Sequence, residues 1–366
     1  MSTVLTALML SVIAGVFNGS WGTPPKYMKK WSEEVIWFTF SFFGFLILPW
    51  LTIFILSPSA YKLISHLPSN LLLIMFTGGI IFGLSQVFFA IAFKYIGVGI
   101  NYVINISMGT AGAAIIPFLW HQDLIGTYYF YLQFAGIVLF IIAVCIGAIA
   151  GAVRDKGNQS DKTNSKKNKV ILYLLIGVFY SILAGIGSAC QGITYIIANP
   201  EVSRMGISLF HLPILAANVI SWVIIFSCAW IPFVIYFLFF IIKNKSYTNY
   251  SSPGKIKYWI FSILMGCGFW CGLIFFCKAS VVIGGDLAPT ITWPLFMVFI
   301  ILVSNIWGWL TGEWKNAKGK AVFLIWLSII IFIVAISVFS YSSKMKPKGE
   351  HRIVHPVHIR ITHKPV

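Results

Sequence analysis

The stretch FKYIGVGIN, residues 93–101, interrupts long apolar sequence with a lysine, two glycines and an asparagine. It follows the run NLLLIMFTGGIIFGLSQVFFAIAF, residues 70–93, and further apolar runs recur along the chain. A helix needs about 20 residues to cross a hydrocarbon core of about 30 Å. The stretch is therefore predicted to join two membrane-spanning helices.

The composition excludes an ordinary soluble domain. Of the 366 residues, 59% are hydrophobic and only 10% are charged, whereas soluble domains carry about 25% charged residues. The apolar runs are unbroken and do not alternate with polar residues, so they favour helices over the strands of a barrel. The sequence predicts an all-α membrane protein.

The apolar runs predict about ten transmembrane helices. The first lacks a basic leader and a small-residue cleavage site, so it is expected to be a retained span. The seventh is too long for one untilted crossing, and Pro213 and Pro232 are candidate kinks in it. The ten spans are 3–22, 35–57, 70–93, 96–120, 126–152, 170–197, 208–242, 257–283, 287–311 and 319–341.

The distribution of basic residues predicts the orientation. The loops after the odd-numbered spans hold seventeen Lys and Arg, and the opposite loops hold only Lys62 and Arg204. The positive-inside rule then places the odd-numbered loops in the cytoplasm and both termini outside. The tail, residues 342–366, carries six further Lys and Arg. Either this charge is tolerated outside, or the span count is off by one at the seventh segment.

The chain also resembles itself. A shift of 170 residues aligns SVIAGVFNGSWG (11–22) with SILAGIGSACQG (181–192), and a shift of 187 aligns Gly79 and Phe82 with Gly266 and Phe269. Because each half would hold five spans, an odd number, the second half would be inverted relative to the first. The predicted units are a first five-helix repeat (1–153), a basic cytoplasmic loop (154–169), a second five-helix repeat (170–341) and a basic, disordered tail (342–366).

The repeat gives the opening stretch a counterpart. SVVIGGDLA, residues 280–288, lies between spans eight and nine as FKYIGVGIN lies between spans three and four. Gly97 and Gly284 would permit a tight turn with positive φ at these two junctions.

Three stretches resemble the L-rhamnose/proton symporter family of the drug/metabolite transporter superfamily. They are PPKYMKKWSEEVIWFTFSFFGFLILPW (24–50), FGLSQVFFAIAFKYIGVGINYVINISMGTAGAAIIP (82–117) and GEWKNAKGK (312–320). The resemblance covers residues 10–340 and implies two duplicated five-helix units. It implies a secondary active transporter that takes up a neutral sugar, L-rhamnose or a related monosaccharide, with protons by alternating access. The chain departs from the family after Trp270 and around Trp293, so an exporter or facilitator of another small solute is the alternative.

A neutral sugar needs amide or hydroxyl partners beside aromatic rings. Amides inside spans are informative because a polar side chain is costly in lipid unless it faces the bundle interior or a cavity. Each amide has an alternative role in a hydrogen bond between helices. The candidate substrate-binding residues are Asn18, Gln86, Asn101, Asn105, Gln191, Trp270 and Trp293.

Proton coupling normally needs a titratable group that is reachable from both sides. No Asp or Glu lies in the middle of a predicted span, so the candidates are Asp286, Lys278, His211 and Lys94. Histidine titrates near neutral pH, and burial lowers the pKa of lysine. For the lysines, the alternative is that they extend to the interface.

Other classes of function find less support. The net charge of +17 sits in short clusters between apolar runs, which indicates topology and argues against nucleic-acid binding. Metalloprotease, serine hydrolase and aspartyl protease motifs are absent, so the chain is not expected to be an enzyme. The six cysteines lie in apolar segments without metal-type spacing. We therefore expect no cofactor or metal, a small sugar and H⁺ as partners, and a multi-pass location in the inner membrane.

Overall fold

The computed structural model describes residues 3–120, 122–157, 164–283, 288–315, 317 and 319–345. Within these ranges the regular structure is helical and contains no strand. A π-helical segment, Phe42–Ile47, joins α2 to α3. The helices are α1 (Thr3–Ser20), α2 (Glu33–Ser41), α3 (Leu48–Leu56), α4 (Ala60–His66), α5 (Ser69–Trp120), α6 (Tyr128–Gly157), α7 (Asn164–Phe210), α8 (Ile214–Lys243), α9 (Lys255–Ile283), α10 (Ala288–Leu310) and α11 (Gly319–Lys344).

Several helices are suited to crossing a bilayer. Among the described residues, seven segments are long and apolar enough, and Phe296–Leu310 and Gly319–Ala335 are shorter apolar helices. Predicted spans three and four both fall on α5, span two covers most of α2, the π-helical segment and α3, and span seven covers the end of α7 and all but the last residue of α8. The prediction of an all-helical, multi-pass membrane protein is confirmed. The count of ten spans and their inverted arrangement stay predictions.

Helix α5 contains the junction predicted at FKYIGVGIN. Its backbone breaks at Gly97, where φ is 75° and ψ is 179°, a combination that only glycine adopts readily. The break separates residues 69–96 from residues 98–120. The turn predicted at Gly97 is thereby confirmed, whereas Gly284 lies outside the described residues.

The long seventh apolar segment is divided near its start. Helix α7 continues to Phe210, and α8 begins at Ile214 after a turn in which His211 has φ of 50°. Pro213 is the N-cap of α8, and Pro232 lies inside this helix. Residues 208–210 therefore extend α7, and α8 is one helix of 30 residues.

Close helix crossings occur at glycines. On α5, Gly79 lies against Ile225 and Cys228 of α8, and on α9, Gly266 lies against the π-helical segment at Phe43 and Gly44. Any added Cβ at Gly79 or Gly266 would press into these neighbours. Small residues at such crossings let helix backbones approach one another in a membrane.

Aromatic rings fill the middle of the bundle. Phe45 and Phe226 stack with centroids 5.6 Å apart and planes 13° from parallel. Phe269 lies 5.2 Å from each of these rings, and Phe82 lies 6.1 Å from Phe45 and 5.7 Å from Phe226. We call these four residues the central phenylalanine cluster.

The chain segments between helices gather at two ends of the bundle. At one end, which we call the Glu313 end, Glu313 pairs with Lys26 and Arg154. At the other, the His66 end, the His66 ring lies 5.1 Å from the Phe210 ring. Helix α6 starts and α11 finishes at a shared end, because the Gln133 amide donates to the Ser342 hydroxyl at 2.8 Å.

Candidate functional site

Asn101 links three helical segments. It lies just beyond the Gly97 break and has no exposed surface. Its Nδ2 donates to the Phe89 carbonyl at 3.0 Å, and its Oδ1 accepts a hydrogen bond from the Ser181 hydroxyl of α7 at 2.7 Å. The amide therefore holds the two parts of α5 and helix α7 together.

Asn105 lies one turn further along α5 and is 8% exposed. Its Oδ1 accepts a hydrogen bond from the Ser188 hydroxyl at 3.3 Å. Its Nδ2 is buried and has no hydrogen-bond partner among the residues that the structure describes. Buried polar groups are nearly always paired, so this amide nitrogen is a donor that suits a ligand oxygen.

The two glutamines lie on the facing helices α5 and α7. Gln86 is buried one turn beyond Gly83, which packs against α8. Gln191 is partly buried and lies on α7 between Gly187 and Thr194, both of which contact α5.

Asn18 and Trp270 are held by hydrogen bonds within the protein. The Asn18 amide donates to the Phe269 carbonyl of α9 at 3.2 Å, and the Asn18 carbonyl accepts a hydrogen bond from Tyr102 at 3.2 Å. The buried Trp270 indole donates to the Thr52 hydroxyl at 2.7 Å. Both residues thus fix contacts between helices.

The remaining candidates do not join this group. Lys278 and His211 are exposed, on α9 and in the turn before α8. Trp293 belongs to α10, but its side chain lies outside the described residues, as does Asp286 altogether.

Lys94 lines a cavity of about 530 Å³ at the Glu313 end, between α2, α5, α7 and α8. Lys94 Nζ lies 4.0 Å from Glu33 Oε2, and both side chains are more than half exposed. The wall combines carboxylates with aromatic rings, a mixture that suits a polyhydroxylated ligand. Its lining residues include Glu33, Glu34, Trp37, Tyr95, Tyr180 and Tyr236.

A polar network that the sequence did not predict lies between α7 and α8. Asn199 Nδ2 donates to Asn218 Oδ1 at 2.9 Å, and the Ser221 hydroxyl donates to Asn199 Oδ1 at 2.9 Å. The Ser203 hydroxyl also reaches Asn199 Oδ1, at 3.3 Å. Asn218 lies inside an apolar run, which was the available signal, but its partner becomes apparent only when the two helices cross.

A charged cluster that the sequence did not predict joins residues that follow three different predicted spans. Glu313 follows α10 and accepts a hydrogen bond from Lys26 Nζ, which also donates to the Thr311 hydroxyl. Arg154, at the end of α6, has Nη1 3.8 Å from Glu313 Oε2 and its Cζ 5.2 Å from the centroid of the Trp314 ring. The residues of this cluster come from both halves of the chain.

The stretch at residues 26–37 makes a second set of contacts at the same end. Glu34 accepts hydrogen bonds from Asn244 and Ser246, and the Ser32 amide donates to Asn249 Oδ1 at 2.6 Å. Trp31 packs edge-on against Tyr250, with centroids 5.2 Å apart. Burial raises the pKa of the Tyr250 phenol, although its contact with Thr39 lowers it, so this hydroxyl stays protonated at neutral pH.

Comparison with known proteins identifies relatives across almost the whole chain. An L-rhamnose-proton symporter of Yersinia pestis (strain Pestoides F) is 24% identical over 351 residues, which cover 92% of this chain and 97% of the relative. The L-rhamnose-proton symporters of Yersinia pseudotuberculosis serotype O:3 (strain YPIII) and Yersinia pestis bv. Antiqua (strain Antiqua) are also 24% identical, with the same coverage. No solved structure matches.

The family model described as L-rhamnose-proton symport protein (RhaT) matches residues 1–343. That span includes every helix from α1 to α10 and nearly all of α11. The chain belongs to the L-rhamnose-proton symport protein family.

Proposed function

We propose that this protein is a secondary active transporter that takes up L-rhamnose or a related neutral monosaccharide together with protons. The observation that carries the proposal is the family match over residues 1–343. Relatives bearing the name L-rhamnose-proton symporter cover 92% of the chain. On this proposal the protein is a transporter and not an enzyme, and its partners are a sugar, H⁺ and the lipid bilayer.

We further propose two inverted five-helix repeats, 1–153 and 170–341, that rock against each other. The glycines aligned by the internal repeat support this arrangement. Gly79 of span three packs on span seven, and its counterpart Gly266 of span eight packs on span two. Gly15 of span one packs on span nine, and its counterpart Gly185 of span six packs on span four. Each of these contacts in the first repeat therefore has an equivalent contact in the second repeat.

The central phenylalanine cluster supports the same relationship. Phe82 and Phe269 are counterparts in the repeat, and each lies against both Phe45 and Phe226. Spans two and seven, which carry Phe45 and Phe226, are counterparts as well. This arrangement is what a twofold axis through the Phe45 and Phe226 pair would produce.

We propose that the Glu313 end faces the cytoplasm of the cell and that both termini are outside the inner membrane. The loops that meet at this end carry most of the Lys and Arg of the chain, and basic loops are retained in the cytoplasm.

For the sugar, we propose a site between α5 and α7. Asn105 supplies the buried amide donor, and Gln86 and Gln191 supply further amides on the facing helices. Asn101 holds α5 and α7 together, whereas Asn18 and Trp270 hold α9 against α1 and α3 through their hydrogen bonds. Trp293 completes the proposed substrate-binding set. Asp286, Lys278, His211 and Lys94 remain the proposed proton-coupling groups, of which Lys94 lines the cavity at the Glu313 end.

Uptake by the purified protein in liposomes tests this function. We expect radiolabelled L-rhamnose to accumulate when the outside is more acidic than the inside. An ionophore that dissipates the proton gradient should abolish accumulation, because the gradient supplies the free energy of uptake. A panel of related deoxyhexoses should compete for the flux.

Protein-free liposomes and liposomes with the ionophore are the matched controls. Uptake that is equal with and without the pH gradient would contradict proton coupling. If the liposomes take up none of the sugars but transport amines or other metabolites, the protein is an exporter of such solutes and the proposed sugar uptake is wrong.

A further inference from the structure

We propose that the cluster of Lys26, Arg154 and Glu313 is a gate that closes the Glu313 end of the transporter and must separate once in each transport cycle. The proposal rests on the proposed alternating-access function. The proposal names the place at which the two repeats separate during the transport cycle.

The cluster brings together chain segments that alternating access has to move. Lys26 follows α1 and Arg154 lies in the last turn of α6, both in the first half of the chain, whereas Glu313 follows α10 in the second half. Lys26 and Glu313 are 287 residues apart in the chain. The carboxylate is therefore a direct link between the two proposed repeats at one end of the bundle.

The backbone is built to hold this carboxylate in place. Gly312 adopts φ of 81°, the Gly312 amide donates to the Trp309 carbonyl at 3.0 Å, and the Glu313 amide donates to the Gly308 carbonyl at 2.9 Å. This is the Schellman arrangement, which ends a helix and turns the next residue back over its last turn.

Two glycines leave room for the carboxylate. An added Cβ at Gly308 would lie 3.0 Å from Glu313 Oε2, and one at the Gly97 break would lie 3.2 Å from Glu313 Oε1. The break in α5 thus lies directly against the acid that pairs with Lys26 and Arg154. Movement at the break and separation of the cluster are linked by this contact.

Burial distinguishes this cluster from the other ion pairs in the described residues. The side chains of Lys26, Glu313 and Arg154 are 25%, 13% and 8% exposed. The Glu201 and Arg204 side chains, near the His66 end, are 37% and 67% exposed. Charge pairs that are shielded from water are held more firmly than exposed pairs. Without the Glu313 charge, Lys26 and Arg154 lose the carboxylate that they share, which would favour the separated state.

The test measures closure without sugar. Thr23 is 3% exposed beside this cluster, and its hydroxyl has no hydrogen-bond partner within the described residues, so Thr23→Cys is a suitable reporter. Its thiol is labelled in nanodiscs by a membrane-impermeant maleimide, and the labelling of the six native cysteines is subtracted using the chain without the reporter.

We expect Glu313→Gln to raise the labelling rate at least tenfold. Lys26→Gln should also raise it, and the double variant should exceed neither single variant appreciably.

Two controls separate gating from general loosening. Glu201→Gln removes an exposed pair near the other end and should leave the rate unchanged. A second reporter, Ser203→Cys on α7, should not become faster when Glu313 is neutralised, because alternating access opens one side at a time.

Unchanged labelling of the first reporter would overturn the gate, and so would a parallel rise at both reporters. If Glu313→Gln does not fold, the labelling rates of the two reporters in the Lys26→Gln variant test the gate in the same way. Because labelling needs no substrate, a chain that fails to take up L-rhamnose can still show the gate. If the Glu313→Gln variant takes up L-rhamnose normally and its labelling rate is unchanged, the gate proposal is wrong while the proposed transport function stands.

Discussion

Asn101 and Asn105 lie one helical turn apart and have the same side chain, yet the structure gives them different partners. Both polar atoms of the Asn101 amide are engaged, by Phe89 and Ser181. Asn105 keeps a buried nitrogen without a partner in the part of the chain that the structure describes. A sequence pattern cannot separate these roles, because both residues satisfy the same rule of an amide inside an apolar span.

We expect Asn101→Leu and Asn105→Leu to fail in different ways. Asn101→Leu removes two buried hydrogen bonds, to the Phe89 carbonyl and from the Ser181 hydroxyl, each worth about 0.5–1.5 kcal/mol of unfolding free energy. The Ser181 hydroxyl keeps the backbone carbonyl of residue 101 as an acceptor at 3.2 Å. Asn105→Leu removes an unpaired donor and only the 3.3 Å hydrogen bond from the Ser188 hydroxyl, so the stability should fall less than in Asn101→Leu while sugar uptake falls about tenfold. Thermal unfolding in detergent and liposome uptake per folded molecule measure the two effects.

Gln86→Leu serves as the companion variant, and we expect it to resemble Asn105→Leu, with uptake lost and expression intact. Wild-type uptake by Asn105→Leu would remove this residue from the proposed sugar site. A large loss of thermal stability in Asn105→Leu would assign its amide to helix packing.

At the scale of elements, the break in α5 is the feature that the sequence predicts most clearly. The backbone at Gly97 lies in a region reserved for glycine, and the glycine also leaves room for the Glu313 carboxylate. The first property follows from a local pattern of lysine and glycine between apolar runs. The second depends on α10, which is distant in the chain.

Gly97→Ala should therefore be destabilising and should impair transport. The backbone strain alone is worth about 1–3 kcal/mol, and the added methyl group presses on Glu313. Gly126→Ala is the matched control, since Gly126 also has positive φ, at 85°, but nothing lies within 4 Å of an added Cβ. We expect Gly126→Ala to lower the unfolding midpoint and to keep the uptake rate per folded molecule. Equal transport by both variants would mean that the Gly97 contact has no part in function.

At the scale of the whole molecule, the contacts at the two ends support an alternating arrangement of the helices. Lys26, Arg154 and Glu313, which follow predicted spans one, five and nine, meet at one end. His66 and Phe210, near the loops after spans two and six, meet at the other. Ser342, near the end of α11, contacts the first turns of α6. Helix α11 therefore finishes at the end of the bundle opposite to the Glu313 end.

This arrangement predicts the location of the tail despite its six basic residues. An epitope tag at the C-terminus should be removed by protease added to spheroplasts, because the basic loops keep the opposite end in the cytoplasm. A tag inserted after residue 160, in the basic loop 154–169, should be protected in the same preparation. Protection of the C-terminal tag would mean that an even number of spans, and not the predicted five, lies between the basic loop and the tail.

The sequence by itself determined the membrane class, the helices, the glycine turn at residue 97 and the family resemblance. These follow from the length of apolar runs and from local backbone preferences, which depend on neighbouring residues. Only the tertiary structure decided that Lys26 and Arg154 meet Glu313, that Asn199 meets Asn218, and which amides are already engaged. Such pairs form where helices from distant parts of the chain cross, and a single sequence carries no local signal for a crossing.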